Sequence, residues 1–486
     1  MKNRKWRTGL IAWALILTVA LSACSDAGGK EEKGIGKLDR EDTGTLKVAY
    51  FDEQAFYMQY GNAFQAMFPN VALEVIPTDS VFEADDPVAE MEKLVAEKQP
   101  DVIYLTEDQY EGLAKQGGLY DLDAVIKQDE FDLDSFQPSV IDLLKARGAG
   151  KLYGLSPSFS SMALYYNKDL FDKYGIPYPT DGMSWDEVLK LAARFPVKKD
   201  GNDALNGLSP SSQTNAPFEL IRTIGEAKGL LYADADAGTV SIDTPDWKPI
   251  FQSVIDGYKS GSVFMPSDGG GQGPSGMIRS MGGKMAIRIG GDSMKFMSGQ
   301  AAMTIDGPMI MSLMGMEGNM SISAKADAGK SAGPVKSPIG KFEWDLVTVP
   351  VDPSQPDVMG GISLEAVFSI NASSDNLPAA WEFIKYANGE QLAKTGSKSM
   401  PDLSSRTAFK KEADGKNIDA FYALGANEQT LLRSLPEGFA ESFAQLAAEH
   451  VKKAADGTES LDEALRTIQS QGQDLLTKAG LEAEQQ

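Results

Sequence analysis

Short apolar runs alternate with helical stripes along most of the chain, and that alternation is the first thing the sequence establishes. Thr45–Tyr50 (TLKVAY) alternates as a strand, and Gln54–Phe68 follows with Phe56, Tyr60, Ala63 and Met67 spaced for one helix face. Val71–Ile76 reads as a second strand. Pro87–Glu97 reads as a helix with Val88, Met91 and Leu94/Val95 inward. Pro100–Leu105 (PDVIYL) reads as a fully buried strand, and Gly117-Gly118 stops the helix after it. Strands and helices alternating at this spacing predict parallel α/β sheets covered on both faces.

The second half repeats the style. Ser184-x-x-Glu187 is a capping box opening the helix WDEVLKLAARF. Thr244-Pro245 opens another, in which Trp247, Ile250, Phe251, Val254 and Tyr258 form an apolar stripe closed by Gly261. At helical spacing those aromatics predict core. Two Gly/Ser/Met-rich stretches, 267–299 and 312–340, read as long surface loops.

The amino end breaks this pattern. Lys2, Arg4, Lys5 and Arg7 precede an apolar run from Leu10 to Leu21, shorter than the about 20 residues a membrane span needs. A charged flank, a short apolar core and small residues at its end read as a cleaved export signal, residues 1–23. Leu21-Ser22-Ala23-Cys24 resembles a bacterial lipobox, in which the cysteine is acylated and becomes the first mature residue. Cys24 is the only cysteine in the chain, which rules out an intramolecular disulfide or thiolate metal site. Residues 24–43 are polar and Gly-rich and read as a flexible tether.

Charge and composition narrow the chemistry. The chain carries 46 Lys/Arg against 69 Asp/Glu, and losing the signal removes four of the cations. So acidic a surface repels nucleic acid and anionic lipid. The one histidine, His450, lies in a C-terminal helical segment and reads as a surface residue, so a Ser/His/Asp triad or HExxH zinc site has no member to spare. Carboxylate-pair hydrolysis stays open, since so many acids always supply pairs. Asp200-Gly201-Asn202-Asp203 and Asp234-Ala235-Asp236 carry part of a calcium-loop pattern without its full ligand set, so no metal and no cofactor is expected.

The order of segments resembles the family 1 extracellular solute-binding proteins, the class similar to maltose-binding protein. The resemblance rests on PDVIYL with its helix ending Gly-Gly-Leu, then KLYGL, ALYYNKDLFDKYGI and SWDEV. GQAAMTIDGP, WDLVTVP, GGISLEAVFSINASSDNLPAAWEFIKYANG and ADGTESLDEAL follow in order. It implies a two-lobed, periplasmic-binding-protein-like (Venus-flytrap) α/β fold with hinge-crossing segments: residues 44–158 and 348–395 in one lobe, 159–347 and 396–486 in the other. It also implies a small solute held between the lobes and handed to ABC permease subunits by a monomer lipid-anchored on the outer face of the cell membrane.

By that resemblance the loops after the first and third strands, with Asp52, Glu53, Glu107 and Asp108, line one side of the cleft, although Thr106 or Asp108 could instead cap its helix. Ser160 aligns with a polar contact before the crossing strand, while Tyr165-Tyr166 falls at hinge and core. From the other lobe come Asn215, in the polar Gln213-Thr214-Asn215 loop, and Met309, where sugar-binding relatives often carry a stacking tryptophan. Phe439 and Phe443 could supply a platform or pack in the core, and Gly360-Gly361 would let backbone approach the ligand or form a strand turn. A carbohydrate is the leading ligand. A polyamine or other small polar solute is the alternative within the class, and a surface glycoside hydrolase or structural lipoprotein lies outside it.

Overall fold

The computed structural model describes residues 35–483 apart from 85, 198–204, 211–216, 236, 267–277, 282–283, 288–292, 315–339, 365, 400–401, 411–412, 414, 428–434 and 437. Cys24, the export signal, Asn215 and the 200–203 loop lie outside the described residues.

Two mixed sheets organise the chain. The first runs in the order Val71–Pro77, Gly44–Tyr50, Val102–Leu105, Val367–Ile370, Gly154–Leu155. Its first three strands are parallel, as the alternation predicts, with Val48 opposite Val102 and Tyr50 opposite Pro77. Val367–Ile370 enters antiparallel, because the chain returns to this sheet from the far side of the molecule. The second sheet runs Trp344–Thr348, Ala163–Asn167, Ala301–Asp306, Asn206–Ser209. Here Ala163–Asn167 is antiparallel to both neighbours. Purely parallel sheets are therefore the wrong expectation, and the long-range returning strands are the reason.

Three segments pass between the sheets, at 156–162, 349–366 and after 409. Ser158–Ser160 lies between Ser363–Leu364 and Leu403–Ser404, all antiparallel, so strands from the first two passages and from the segment leading into the third form a small sheet of their own. The last passage comes later than a boundary at 395. Gln137 N–H donates to Ser405 O and Thr407 N–H to Ser135 O, which docks residues 403–409 on the first body. Lys416 and Asn417 already bond Trp344 O and Asp345 Oδ1 of the second sheet.

The first helix shows what pattern alone misreads. Residues 53–67 are helical, but Tyr57–Gly61 is a π-helical turn. The wider turn shifts the inward register, so Phe56 and Phe64 are fully buried while Met67 is exposed. Gly61 permits it: a Cβ there would meet Tyr57 Cδ1 at 2.8 Å and Phe56 Cε1 at 3.0 Å. Elsewhere local signals hold. Ser184 and Glu187 form the capping box, and Trp247, Ile250, Phe251, Val254 and Tyr258 are all buried.

Other expectations change. Within 267–299 the described residues form a hairpin, Ile278–Met281 with Lys284–Ile287, and a helix, Ser293–Met297, that buries Phe296 and Met297. The tether stops short of 43: Ile35 is buried and its carbonyl accepts from Gln128 Nε2 at 2.8 Å. His450 is no surface residue. It is 7% exposed and its Nδ1 lies 2.8 Å from Glu459 Oε2, because the turn into the last helix folds back over it.

Candidate functional site

The first body offers its site residues at the carboxyl ends of parallel strands, where open α/β sheets leave a crevice. Strand Gly44–Tyr50 runs into Asp52, whose Oδ1 accepts from Ala55 N–H at 2.7 Å and so caps the first helix. Asp52 and Glu53 are both exposed. After Val102–Leu105 the cap is Thr106, which exchanges hydrogen bonds with Gln109 in a complete capping box. That leaves Asp108 exposed in the first turn, released from any capping duty.

Glu107 sits inward of Asp108. Its Oε1 is 3.6 Å from Arg147 Nε, and its Oε2 accepts from Leu364 N–H at 3.4 Å. Burial pushes the Glu107 carboxyl above its ordinary value, with Arg147 and the Leu364 N–H pulling it back down. Arg147, closing the helix Pro138–Arg147, also donates through Nη1 to Glu111 Oε2 at 2.5 Å. Partial burial would raise Glu111 too, but Lys115 and Arg147 together hold it below its ordinary value. One guanidinium thus serves two carboxylates, an arrangement invisible in the sequence because Arg147 belongs to a different helix.

The floor of the site is the crossing sheet. Side chains alternate along a strand, and directly opposed residues share a face. Ser158 and Ser160 therefore share a face with their partners Ser404 and Ser363. Ser158, Ser160 and Ser363 are half-buried there, while Ser404 is buried with its hydroxyl donating to Arg406 O. Beside them Gly361 adopts φ +90°, a conformation that suits glycine, and any Cβ there would lie 3.4 Å from Met162 Sδ.

From the second body, Gly307 ends the buried strand Ala301–Asp306. Its Cβ position is 3.9 Å from Ser160 Oγ, and its carbonyl accepts from Tyr165 OH at 2.8 Å. Met309, half-buried, opens the helix that follows. Ser160, Gly361 and Glu107 are thus drawn together through the crossing segments, with Met309 two residues beyond Gly307. Asp52 and Glu53 stand on the same strand edge without a bond to this group.

Phe443 is elsewhere. It is fully buried, stacked on Tyr232 with ring centroids 4.9 Å apart and packed on Phe218 and Phe439. No face of the ring is left for a ligand, so its place is in the second body's core. A further charged group lies on the second body. Glu219, Arg222 and Glu226 form a ladder on the helix Pro217–Ala227, and the Cβ position of Gly360 lies 3.6 Å from Glu226 Cβ. Its i, i+3, i+7 spacing was readable, but nothing in the local pattern aims it at the crossing segment. Burial raises the Glu226 carboxyl, against the pull of Arg222.

This set can accept and donate hydrogen bonds to a hydroxylated molecule, and Met162 and Met309 add soft apolar contacts. Among the described residues no cluster of three or more His, Cys, Asp or Glu could hold a metal. Asp234 Oδ1 instead accepts from Ala237 N–H inside a hairpin turn. No described helix is long and apolar enough to cross a membrane.

A family model described as bacterial extracellular solute-binding protein matches residues 59–423. Binding proteins of Brucella abortus and Brucella suis are 31% identical over 207 residues, 40% of this chain and 42% of theirs, so the match spans less than half the length of those relatives. Among solved structures, the sugar-binding protein of Xanthomonas citri superposes with a TM-score of 0.61 at 18% identity, over 91% of this chain and 100% of that one. A Rhizobium etli sugar transporter in an open conformation gives 0.59 at 18%, over 88% and 99%. An ABC substrate-binding protein of Listeria monocytogenes in complex with cycloalternan gives 0.56 at 18%, over 90% and 99%. At these identities the likeness is one of fold, and the fold is the periplasmic-binding-protein-like one expected from the sequence.

Proposed function

This chain belongs to the bacterial extracellular solute-binding proteins, and from that premise we propose that it captures a sugar or oligosaccharide between two lobes and passes it to an ABC permease. The lobes are the bodies built on the two sheets. The observation that carries the reading is the serine face of the crossing sheet, with Ser160 beside Gly307 and Glu107 bonded to Leu364. Hydroxyls and a carboxylate at the join of two bodies suit a ligand made of hydroxyls, and closing the bodies would bury it.

The same residues speak against a polyamine. Arg147 serves both Glu107 and Glu111, so the inward acids at this edge already face a cation, and only the exposed Asp52, Glu53 and Asp108 keep uncompensated charge. Sugar-holding proteins of like fold support the carbohydrate reading. Binding without turnover follows: the protein is not a glycoside hydrolase. Cys24 carries lipid and holds the mature chain, acting as a monomer, at the outer face of the cell membrane.

Calorimetric titration with a panel of oligosaccharides and polyamines, followed by mass spectrometry of the recovered ligand, tests this. Saturable binding of an oligosaccharide recovered intact is expected. Tight polyamine binding without sugar binding, or recovery of cleaved sugar, would overturn it.

A further inference from the structure

A cavity of about 260 Å3 opens on the first body between the π-helical turn Tyr57–Gly61, the helix Glu390–Ser399 and the strands Ser158–Ser160 and Leu403–Ser404. None of Glu107, Ser160, Gly361 or Met309 is in its wall, so it is separate from the crossing site although Ser158 and Ser404 border both. Its size falls just under the ~300–1,000 Å3 usual for drug-sized ligands, which suits one small molecule.

Two independent features make it more than a packing gap. The first is the π turn itself, which breaks the regular helix and places Met58, Gln59 and Tyr60 in the wall. Met58 is 70% exposed there, an apolar side chain with little to cover it. Such turns persist mostly where they serve a site. The second is Asn388, 2% exposed. Its Nδ2 donates to Ile384 O at 3.0 Å, which orients the amide, and its Oδ1 is buried without a partner. A buried acceptor left unsatisfied costs free energy until a donor reaches it.

The charges indicate what that donor belongs to. Arg406 and Asp402 both border the cavity. The guanidinium is fixed by Asn388 O and Ser135 Oγ and lies 4.5 Å from the Phe136 ring centroid. Those two bonds use two of the five N–H donors an arginine carries. Arg406 is bonded on two sides and Asp402 has a partner of its own, so neither charge is left bare for an ion. A neutral molecule carrying several hydroxyls can donate to Asn388 Oδ1 and Asp402 and accept from Arg406, with its C–H face on Met58 and Leu392.

We propose that this cavity is a second binding site, taking one small neutral polyol or monosaccharide. Its occupant touches the crossing strand through Ser158 and Ser404, yet the site stands whether or not the region around Ser160 binds sugar.

Methionines report on the two places separately: Met58 on the cavity, Met162 and Met309 on the crossing site. With methyl-13C methionine, D-mannitol and glucose should shift the Met58 resonance saturably, and putrescine should not. Ala393→Trp, which fills the cavity, should weaken that response at least tenfold while the Met162 and Met309 resonances keep their positions. Asp402→Asn, which preserves shape, should weaken it severalfold and decides the matter if the tryptophan variant does not fold. A Met58 resonance unmoved by either polyol up to the solubility limit overturns the site. So does one that moves only in step with Met309 and ignores both substitutions, since that reports motion between the bodies. A response to putrescine alone overturns the ligand class. Failure of the sugar reading at the crossing site leaves a different trace: Met58 responds to D-mannitol while Met162 and Met309 stay silent through the whole oligosaccharide panel.

Discussion

The backbone N–H of Leu364 donates to Oε2 of Glu107 at 3.4 Å, tying a segment that passes between the two bodies to the helix that follows strand Val102–Leu105. The acid that receives this bond is also the one whose burial is only partly offset by Arg147.

That offset makes Glu107 visible in a pH profile. Its carboxyl is raised in the folded protein, so between the ordinary value and the raised one the folded state binds more protons than the unfolded state. This group's contribution is therefore favourable at low pH and is lost as pH rises through that window. Glu107→Gln keeps the shape and removes the titration. The difference in melting temperature between variant and wild type should move in the variant's favour as pH rises, while sugar affinity falls roughly tenfold with loss of a charge-assisted bond. A difference that moves the opposite way with pH contradicts the assignment.

Thr106 and Asp108 should separate cleanly. Thr106→Ala removes the cap of its helix and should cost about 1 kcal/mol of stability with affinity unchanged. Asp108→Ala, exposed and free of capping, should leave stability alone and weaken ligand binding by roughly tenfold if it faces the solute. Denaturant titrations paired with calorimetry read both. A loss of stability in the Asp108 variant with intact affinity would remove that residue from the site.

Phe443 tests the core assignment. The ring is fully buried, and Gly472 is so close that a Cβ there would lie 2.4 Å from Phe443 Cε2. Phe443→Ala should cost about 3–5 kcal/mol in unfolding free energy. The folded fraction should retain wild-type affinity. Wild-type stability with lost binding would return Phe443 to the ligand.

These contrasts show which parts of the molecule local pattern could reveal. The Ser184–Glu187 box and the Trp247–Tyr258 stripe depend on residues three to eleven apart, and both stand as read. The inward face of the first helix does not, because a π turn at Tyr57–Gly61 changes the period that the reading assumed. His450 looked exposed since only its own helix was in view, while the residue that covers it, Glu459, lies in the turn beyond. At the site, the acids after the strands were legible from type and position. Their partners were not: Leu364 is 257 residues from Glu107, and no periodicity spans that distance. The cavity beside Asn388 has walls from three separate regions of the chain and left no local signature.

Anchoring can be tested apart from binding. Because Cys24 is the chain's only thiol and follows Leu21-Ser22-Ala23, Cys24→Ala should abolish incorporation of labelled fatty acid and release the protein from membranes. Label retained by the variant would sink the lipoprotein reading, whereas ligand affinity should not change in either case.

Motion between the bodies is the remaining consequence. The three passages are short strands and loops, tied to the bodies by bonds such as Leu364 N–H to Glu107 and Gln137 Nε2 to Tyr422 O on one side, and Lys228 Nζ to Asp352 Oδ2 at 2.9 Å and Asn427 Nδ2 to Glu226 O on the other. Glu107 lies at the edge of the first body and Asp352 in a passage, where small rotations are absorbed without disturbing either core. A ligand that bonds both bodies favours the closed arrangement by its difference in affinity for the two states. Small-angle scattering should therefore give a smaller radius of gyration at saturating sugar than without it, and a noncognate polyamine should produce no change. Calorimetry on the same samples establishes that the site is filled. A profile that stays unchanged with the site filled would mean that the two bodies do not close on their solute.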